Sequence, residues 1–248
     1  MLENTIKEEE NNVFQGIEVK FDLYIPQLSI DCVIFGFHDN TLKVLLSKFQ
    51  NLDLWALQGG FIYQDEDIDV AAVRILKELT SLSDIYLKQY TTFGKANRGT
   101  RGKNFDELFK NQGIDIESIP FLKQRFVSIG YYSLVDFEKV TPSVSQHFDC
   151  SAWHDINNLP ELLYDHAEMI ETALETMRLS LDYQLVGFNL MPETFTMKEL
   201  QRLYETILGV PLKRNNFQEK MLSLNILERL EKQFTGGAHK APYLYRFK

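Results

Sequence analysis

Three groups of residues have the types and spacing to do chemistry. The first lies between Gly60 and Glu78: an acid at Glu66, a base at Arg74 and a second acid at Glu78, the last two one helical turn apart. Taken alone they read as surface residues of an amphipathic helix, with Arg74 and Glu78 an i,i+4 ion pair. The second group centres on Asp31, which interrupts an apolar strand and is therefore the acid expected to face a cavity. A small polyol is held by carboxylates, amides and an aromatic face, so Asp31, Lys43, Trp55, Gln58 and Glu78 form the candidate ligand lining. Trp55 has a strong rival reading as plain core. The third group is basic and rich in amides: Lys213, Arg214, Asn215, Asn216, Gln218 and Lys220 at the start of a predicted helix, then His239, Lys240 and Arg246 on a predicted hairpin. Asn and Gln amides match adenine edges in a major groove, and Lys, Arg and His supply salt-sensitive phosphate contacts. A solvated basic face is the plainer alternative.

The elements that position these residues follow from periodicity. Residues 29–37 are almost continuously apolar, His38-Asp39-Asn40 supplies a turn, and residues 42–49 alternate, which predicts a hairpin. Trp55-Ala56-Leu57-Gln58-Gly59-Gly60-Phe61-Ile62 leads into a predicted helix over 67–82, with Val70, Val73, Leu76 and Leu79 at helical spacing. Residues 85–93 and 125–135 read as strands around a long polar loop, 94–112, that holds Lys95, Arg98, Arg101 and Lys103. A helix over 165–183 carries Ile170, Ala173, Leu174, Met177 and Leu181 on one face. Met191-Pro192 is a natural stop, so the boundary falls between Gln184 and Thr196, dividing the chain into 1–187 and 188–248. In the second part Thr196-Met197-Lys198-Glu199 is a capping box for a helix ending at Leu208-Gly209. Asn216-Phe217-Gln218-Glu219 then opens a second helix bearing Met221, Leu222 and Leu224, with Phe217 and Leu222 expected in the core. A Gly-Gly turn at 236–237 precedes the alternating residues 243–247. Helix, turn, helix and hairpin make a winged helix-turn-helix pattern.

The spacing of Gly60, Glu66 and Arg74 resembles the first half of the Nudix box, and Trp55 to Phe61 resembles the strand entering it, with Gln58 where that family usually has proline. The resemblance covers residues 29–183 and implies an α+β chain: a Nudix-like α/β/α sandwich with a mixed sheet, followed by the winged helix-turn-helix. The late glutamates of the box fall on Ile75, Glu78 and Leu79, one helical face, and Ser81 replaces its glycine. A hard divalent cation on pyrophosphate wants an oxygen cage, which Ile75 and Leu79 cannot supply. The resemblance therefore implies a fold kept and a hydrolase lost, with no catalytic residue, metal or cofactor. Residues 213–222 and 241–247 resemble the C-terminal domain of the Nudix-related transcriptional regulators, which implies a repressor binding double-stranded operator DNA under control of a small effector. Members of that family sense ADP-ribose or related nucleotides, or a free sugar. This chain is similar to the arabinose-responsive repressors of Bacteroidetes, so the expectation is a regulator of sugar utilisation genes released by a pentose such as L-arabinose. The alternatives are an ADP-ribose-sensing regulator of NAD metabolism and a residual pyrophosphohydrolase.

Composition sets the outer bounds. At 248 residues, 44% hydrophobic and 25% charged, with 13 Gly and 7 Pro, the chain is a folded one with room for two domains. No apolar run is long enough to span a membrane and residues 1–12 are acidic, so a cytoplasmic protein with no membrane partner is expected. Cys32 and Cys150 match no disulfide framework or metal-ligand spacing. The net charge of -9 divides unevenly: residues 196–248 hold 10 Lys+Arg against 5 Asp+Glu, whereas the rest of the chain holds 16 against 30. A basic tail on an acidic body argues for polyanion binding in the tail alone. It also favours a neutral effector over a phosphorylated one, with the loop at 94–112 as counter-evidence, since its bases could grip phosphates, acidic side chains or DNA. So small a DNA-reading module covers few base pairs, and useful specificity calls for a homodimer on a palindromic site.

Overall fold

The computed structural model describes residues 13–14, 17–18, 21–50, 53–80, 86–98, 121, 124–137, 140, 148–181, 190–233 and 241–248. Short strands β1 (Val13–Phe14) and β2 (Ile17–Glu18) pair with each other. The organising element is the fifteen-residue strand β3 (Tyr24–His38), which returns as β4 (Thr41–Phe49). Asp39 and Asn40 turn the hairpin with φ of 51° and 60°, the left-handed conformation that a two-residue turn requires and that Asp and Asn tolerate. β5 (Trp55–Ala56) pairs with β4 and β6 (Gln58–Tyr63) with β3. On its other edge β3 runs parallel to β8 (Val127–Val135), in register from Leu28 opposite Val127 to Gly36 opposite Val135. β7 (Tyr86–Phe93) lies antiparallel outside β8, and β9 (Phe148–Asp155) antiparallel outside β4. The result is a mixed sheet of order β5-β4-β3-β8-β7, with β6 and β9 added to β3 and β4.

Alternation along β3 sorts its side chains to two faces. Ile30, Cys32 and Ile34 pack beneath helix α1 (Ile68–Thr80), whereas Val33 and Phe35 pack on the opposite side beneath helix α2 (His166–Ser180). Asp31 shares the parity of Val33, so the pleat itself sends it towards α2. The C-terminal part contains β10 (Phe195–Thr196), α3 (Met197–Leu208), α4 (Arg214–Ser223), β11 (Leu227–Lys232) and β12 (Tyr243–Phe247), with strand order β10-β12-β11. The capping box is closed: Thr196 Oγ1 accepts from the Glu199 N–H at 3.2 Å and Glu199 Oε2 accepts from the Thr196 N–H at 2.7 Å. Gly209, at φ 71°, ends α3 in the left-handed conformation. Leu200, Leu203, Tyr204 and Ile207 of α3 belong to the same buried cluster as Leu174 and Met177 of α2, so one core runs from the sheet into the winged helix.

Several expectations need correction. In α1 the buried stripe is Ala71, Ala72, Ile75 and Leu76, while Val70 and Val73 are 57% and 48% exposed. The two alanines bring the helix backbone close to the sheet, and that fixes the buried face a fraction of a turn away from the larger valines. Helix α4 begins at Arg214, with Lys213 in the cap position and no side-chain cap, so Asn216 lies inside the first turn. The anchor is Phe217, whose ring meets Tyr204 edge-on at 5.2 Å and whose N–H bonds the Lys213 carbonyl at 3.0 Å. Phe217 and Met221 form the buried i,i+4 stripe, leaving Leu222 44% exposed rather than in the core. The expected boundary at 187/188, the turn at 236–237, Ser81 and the loop beyond Arg98 lie outside the described residues. Among the described residues, no helix is long and apolar enough to cross a membrane.

Candidate functional site

The box residues are structural supports. Glu66 is not a surface residue paired at random: Arg74 grips it with two hydrogen bonds of 2.7 Å, from Nε to Oε1 and from Nη2 to Oε2. The same Nη2 donates to the Phe61 carbonyl at 2.9 Å, and the guanidinium lies 4.4 Å over the Tyr63 ring. This clip holds the turn between β6 and α1, and the Arg74 hydrogen bonds hold the Glu66 carboxyl below the usual range. Helical spacing alone suggested Arg74 and Glu78; that contact is the looser one, at 3.6 Å with Glu78 largely exposed. Ile75 is buried against Gly60, and Leu79 packs partly on the same cluster, so both are packing residues.

Polar groups converge on a cavity of about 290 Å³ on the α2 side of the sheet, where β3, β6 and the start of α2 meet. At its head sits a charge cluster: Arg98, 6% exposed, donates from Nε to both oxygens of Asp165, 8% exposed, at 2.9 and 3.0 Å, and from Nη2 to Asp31 Oδ2 at 3.2 Å. Ser128 Oγ also donates to Asp31 Oδ2. His166, at the first position of α2, accepts the Leu57 N–H on Nδ1 at 3.0 Å, so its neutral proton sits on Nε2, 3.9 Å from Asp31 Oδ1. Burial lowers the His166 pKa, with Asp31 opposing and Arg98 reinforcing the shift. With His166 neutral, one guanidinium faces two carboxylates and the cluster carries a net negative charge. Aromatic rings line the approach: Phe49 and Phe148 lie 4.7 Å apart, Phe61 and Phe126 5.5 Å apart, and the exposed Arg125 stands at the rim.

Of the five candidate ligand residues, the structure brings Asp31 to this cavity and does not bring the others. Lys43 lies on β4, 5.9 Å from the Phe137 ring. Trp55 is buried edge-on against His154, as its core reading requires. Gln58 is buried and spends its amide on the Ser47 hydroxyl, whereas Glu78 points to solvent beside Arg74 on α1. Arg98, Ser128, Asp165 and His166 are the residues that were not singled out as ligands. Arg98 was visible only as one base among four in a polar loop; that two carboxylates neutralise it is a tertiary fact.

In the winged helix, Lys213, Arg214, Asn215, Asn216 and Lys220 are all exposed and Gln218 partly so, while Phe217 and Met221 face inward. The exposed surface of α4 is thus rich in basic and amide groups, with Glu219 as its one acid. Arg246 is less available than expected, since its Nε donates to Glu228 Oε2 on the neighbouring strand at 2.7 Å. Arg229 and Lys232 of β11 lie against the Tyr243 ring at 4.6 and 5.3 Å, adding cations to the same wing. His239 and Lys240 lie outside the described residues.

Residues 187–247 match the NrtR DNA-binding winged helix domain. Over 235 residues, 92% of this chain and 84% of the relative, the sequence is 28% identical to the ADPR responsive transcriptional repressor NtrR of Acinetobacter baylyi. Among solved structures, Shewanella oneidensis NrtR complexed with a 27mer DNA is 28% identical with a TM-score of 0.69, covering 90% of this chain and 94% of its own. A MutT/nudix family protein from Enterococcus faecalis is similar in fold at 20% identity, with a TM-score of 0.64 over 90% of this chain and 87% of its own.

Proposed function

We propose, from the premise that the chain is an NrtR-like, Nudix-related transcriptional regulator with a C-terminal winged helix, that it is a DNA-binding repressor whose Nudix-like domain binds a small effector beside Asp31 and Arg98. The observation that carries the DNA reading is the solvent face of α4, where Lys213, Arg214, Asn215, Asn216 and Lys220 are all exposed. Its N-terminal turn enters the major groove, the amides read base edges, and the lysines and arginine bind phosphate. Two copies on a palindromic operator supply the specificity that one such module lacks. The replacement of box carboxylates by Ile75 and Leu79 supports a binding role over a hydrolytic one.

ADP-ribose is the effector class supported by the relative from Acinetobacter baylyi, whose name gives an ADPR response, and control of NAD metabolism is the role that goes with this reading. The Phe49–Phe148 pair offers a face for a base and Arg125 a rim contact for phosphate. A second reading, a free pentose such as L-arabinose and control of sugar utilisation, is favoured by one specific observation: Arg98 is already neutralised by Asp31 and Asp165, leaving the cluster negative and suited to hydroxyl groups rather than phosphates. Fluorescence anisotropy on DNA from upstream of the protein's own and neighbouring genes, at fixed salt, tests both. Release by ADP-ribose alone supports the first reading and release by L-arabinose alone the second. Binding to no fragment, together with Mg²⁺-dependent hydrolysis of ADP-ribose that Glu78→Gln removes, would replace the repressor by an enzyme.

A further inference from the structure

We infer that His166 and Asp31 form a hydroxyl-reading site, in which one sugar hydroxyl of the effector accepts from His166 Nε2–H and donates to Asp31 Oδ1. The inference rests on the effector reading above but not on which sugar is bound, because a free pentose and the ribose of ADP-ribose offer the same group. Three observations converge on it. The His166 proton is fixed on Nε2 because Nδ1 is occupied by the Leu57 N–H at 3.0 Å, so this ring is a donor towards the cavity. Both neighbours of Asp31 choose its other oxygen: Ser128 Oγ and Arg98 Nη2 donate to Oδ2, and among the described residues Oδ1 accepts no hydrogen bond. The donor and the acceptor stand 3.9 Å apart, too far to bond each other, and two hydrogen bonds of about 2.8 Å meeting on one oxygen span that gap.

The chemistry of the gap is selective. A hydroxyl is donor and acceptor at once and satisfies both sides, whereas a phosphate or carboxylate oxygen only accepts and would be pressed against Asp31. The space exists because residue 59 is glycine. A methyl group there would lie 2.5 Å from Asp31 Oδ1 and 2.8 Å from the Ile30 carbonyl oxygen. Asp31 belongs to β3 and His166 to the first turn of α2, so the bridging hydroxyl ties the sheet to the helix that continues to the winged helix.

Isothermal titration calorimetry on the full chain tests this with L-arabinose, ADP-ribose and, as a hydroxyl-free anion, inorganic pyrophosphate. His166→Asn places an amide oxygen where Nδ1 accepts and removes the Nε2–H; Asp31→Asn removes the charged acceptor. Each weakens the sugar that binds by roughly tenfold or more, while far-ultraviolet circular dichroism and the melting midpoint report the fold. On the wild-type protein, one monodeoxy analogue of that sugar loses a similar factor, and the loss vanishes in His166→Asn because the two changes delete the same contact. Wild-type affinity in both folded variants, or equal affinity for every deoxy analogue, overturns the hydroxyl bridge and leaves the effector reading standing. If neither L-arabinose nor ADP-ribose binds the wild-type chain, both fall; tight pyrophosphate binding that His166→Asn weakens also overturns the bridge.

Discussion

At the scale of single residues, the charge cluster under α2 does two things at once. It makes the base of the cavity polar and it fixes the loop that follows β7 to the first turn of α2. Arg98 and Asp165 are both almost fully buried, so truncation leaves a buried charge unpaired. Arg98→Ala is expected to cost about 3–5 kcal/mol of stability, read as a lower urea midpoint, and to abolish effector binding in the same preparation. His166 gives a second test. Its folded pKa lies below the unfolded value because burial disfavours the charged ring, so the unfolded chain binds the extra proton first. The stability that neutral His166 contributes is therefore present above about pH 6.5 and is lost as the pH falls below it. Urea midpoints measured from pH 7 to pH 5 should decline, and less steeply in His166→Asn; His154, whose pKa burial also lowers, keeps part of the slope in that variant.

At the scale of elements, α1 is held by close packing. Its inner stripe of Ala71, Ala72, Ile75 and Leu76 lies flush on the sheet, and the Ile75 side chain fills the space over Gly60 where a methyl group would lie 3.0 Å away. A carboxylate at residue 75 would therefore enter the core rather than stand at the surface of the helix. Ile75→Glu is expected to lose about 3 kcal/mol or more, seen as a fall in melting temperature, with no gain of Mg²⁺-dependent hydrolysis of ADP-ribose. Helix α4 shows the opposite economy, with two anchors inward and its charges outward. Replacing Lys213 and Arg214 together by alanine should leave the fold intact and weaken DNA binding on all sequences alike. The slope of log affinity against log salt is expected to shrink by about 1.8 if both contact phosphate, measured by anisotropy over a salt series.

At the scale of the whole molecule, α2 joins the cavity to the winged helix. Its fifteen residues span about 22 Å. One end carries His166 and the Arg98-bound Asp165; near the other, Arg178 Nε donates at 2.6 Å to the Ile207 carbonyl in the last turn of α3. A second tie comes from the β3–β4 turn, where the Asn40 carbonyl accepts from Thr206 Oγ1 at 3.3 Å. Because the two folded parts also share one apolar core, the winged helix is not a module on a loose tether, and a small shift of α2 reaches α3 directly. Arg178→Ala is therefore expected to leave effector affinity within about twofold of wild type while cutting the effector's influence on DNA affinity by roughly fivefold. Calorimetry and anisotropy on the same protein separate the two effects, and an unchanged response in this variant would mean that the shared core alone carries the coupling.

Elements with a local signal are legible along the chain. The β3–β4 hairpin is written in an apolar run followed by Asp39-Asn40, α2 in the spacing of Ile170, Ala173, Leu174, Met177 and Leu181, and α3 in the Thr196–Glu199 box. The basic, amide-rich start of α4 was equally plain, because exposed residues answer to solvent and their types survive inspection one at a time. Tertiary structure alone decided the cavity. Asp31, Arg98, Ser128 and Asp165 come from four separate segments, and only the parallel pairing of β3 with β8 and the docking of α2 put them within hydrogen-bonding distance. Which face of α1 is buried was decided there too, since alanines win a close contact that a count of large apolar residues assigns to valines. Local patterns record what a residue does along its own helix or strand. A polar residue placed at a cavity records what the rest of the chain brings to it, and no spacing along the sequence carries that.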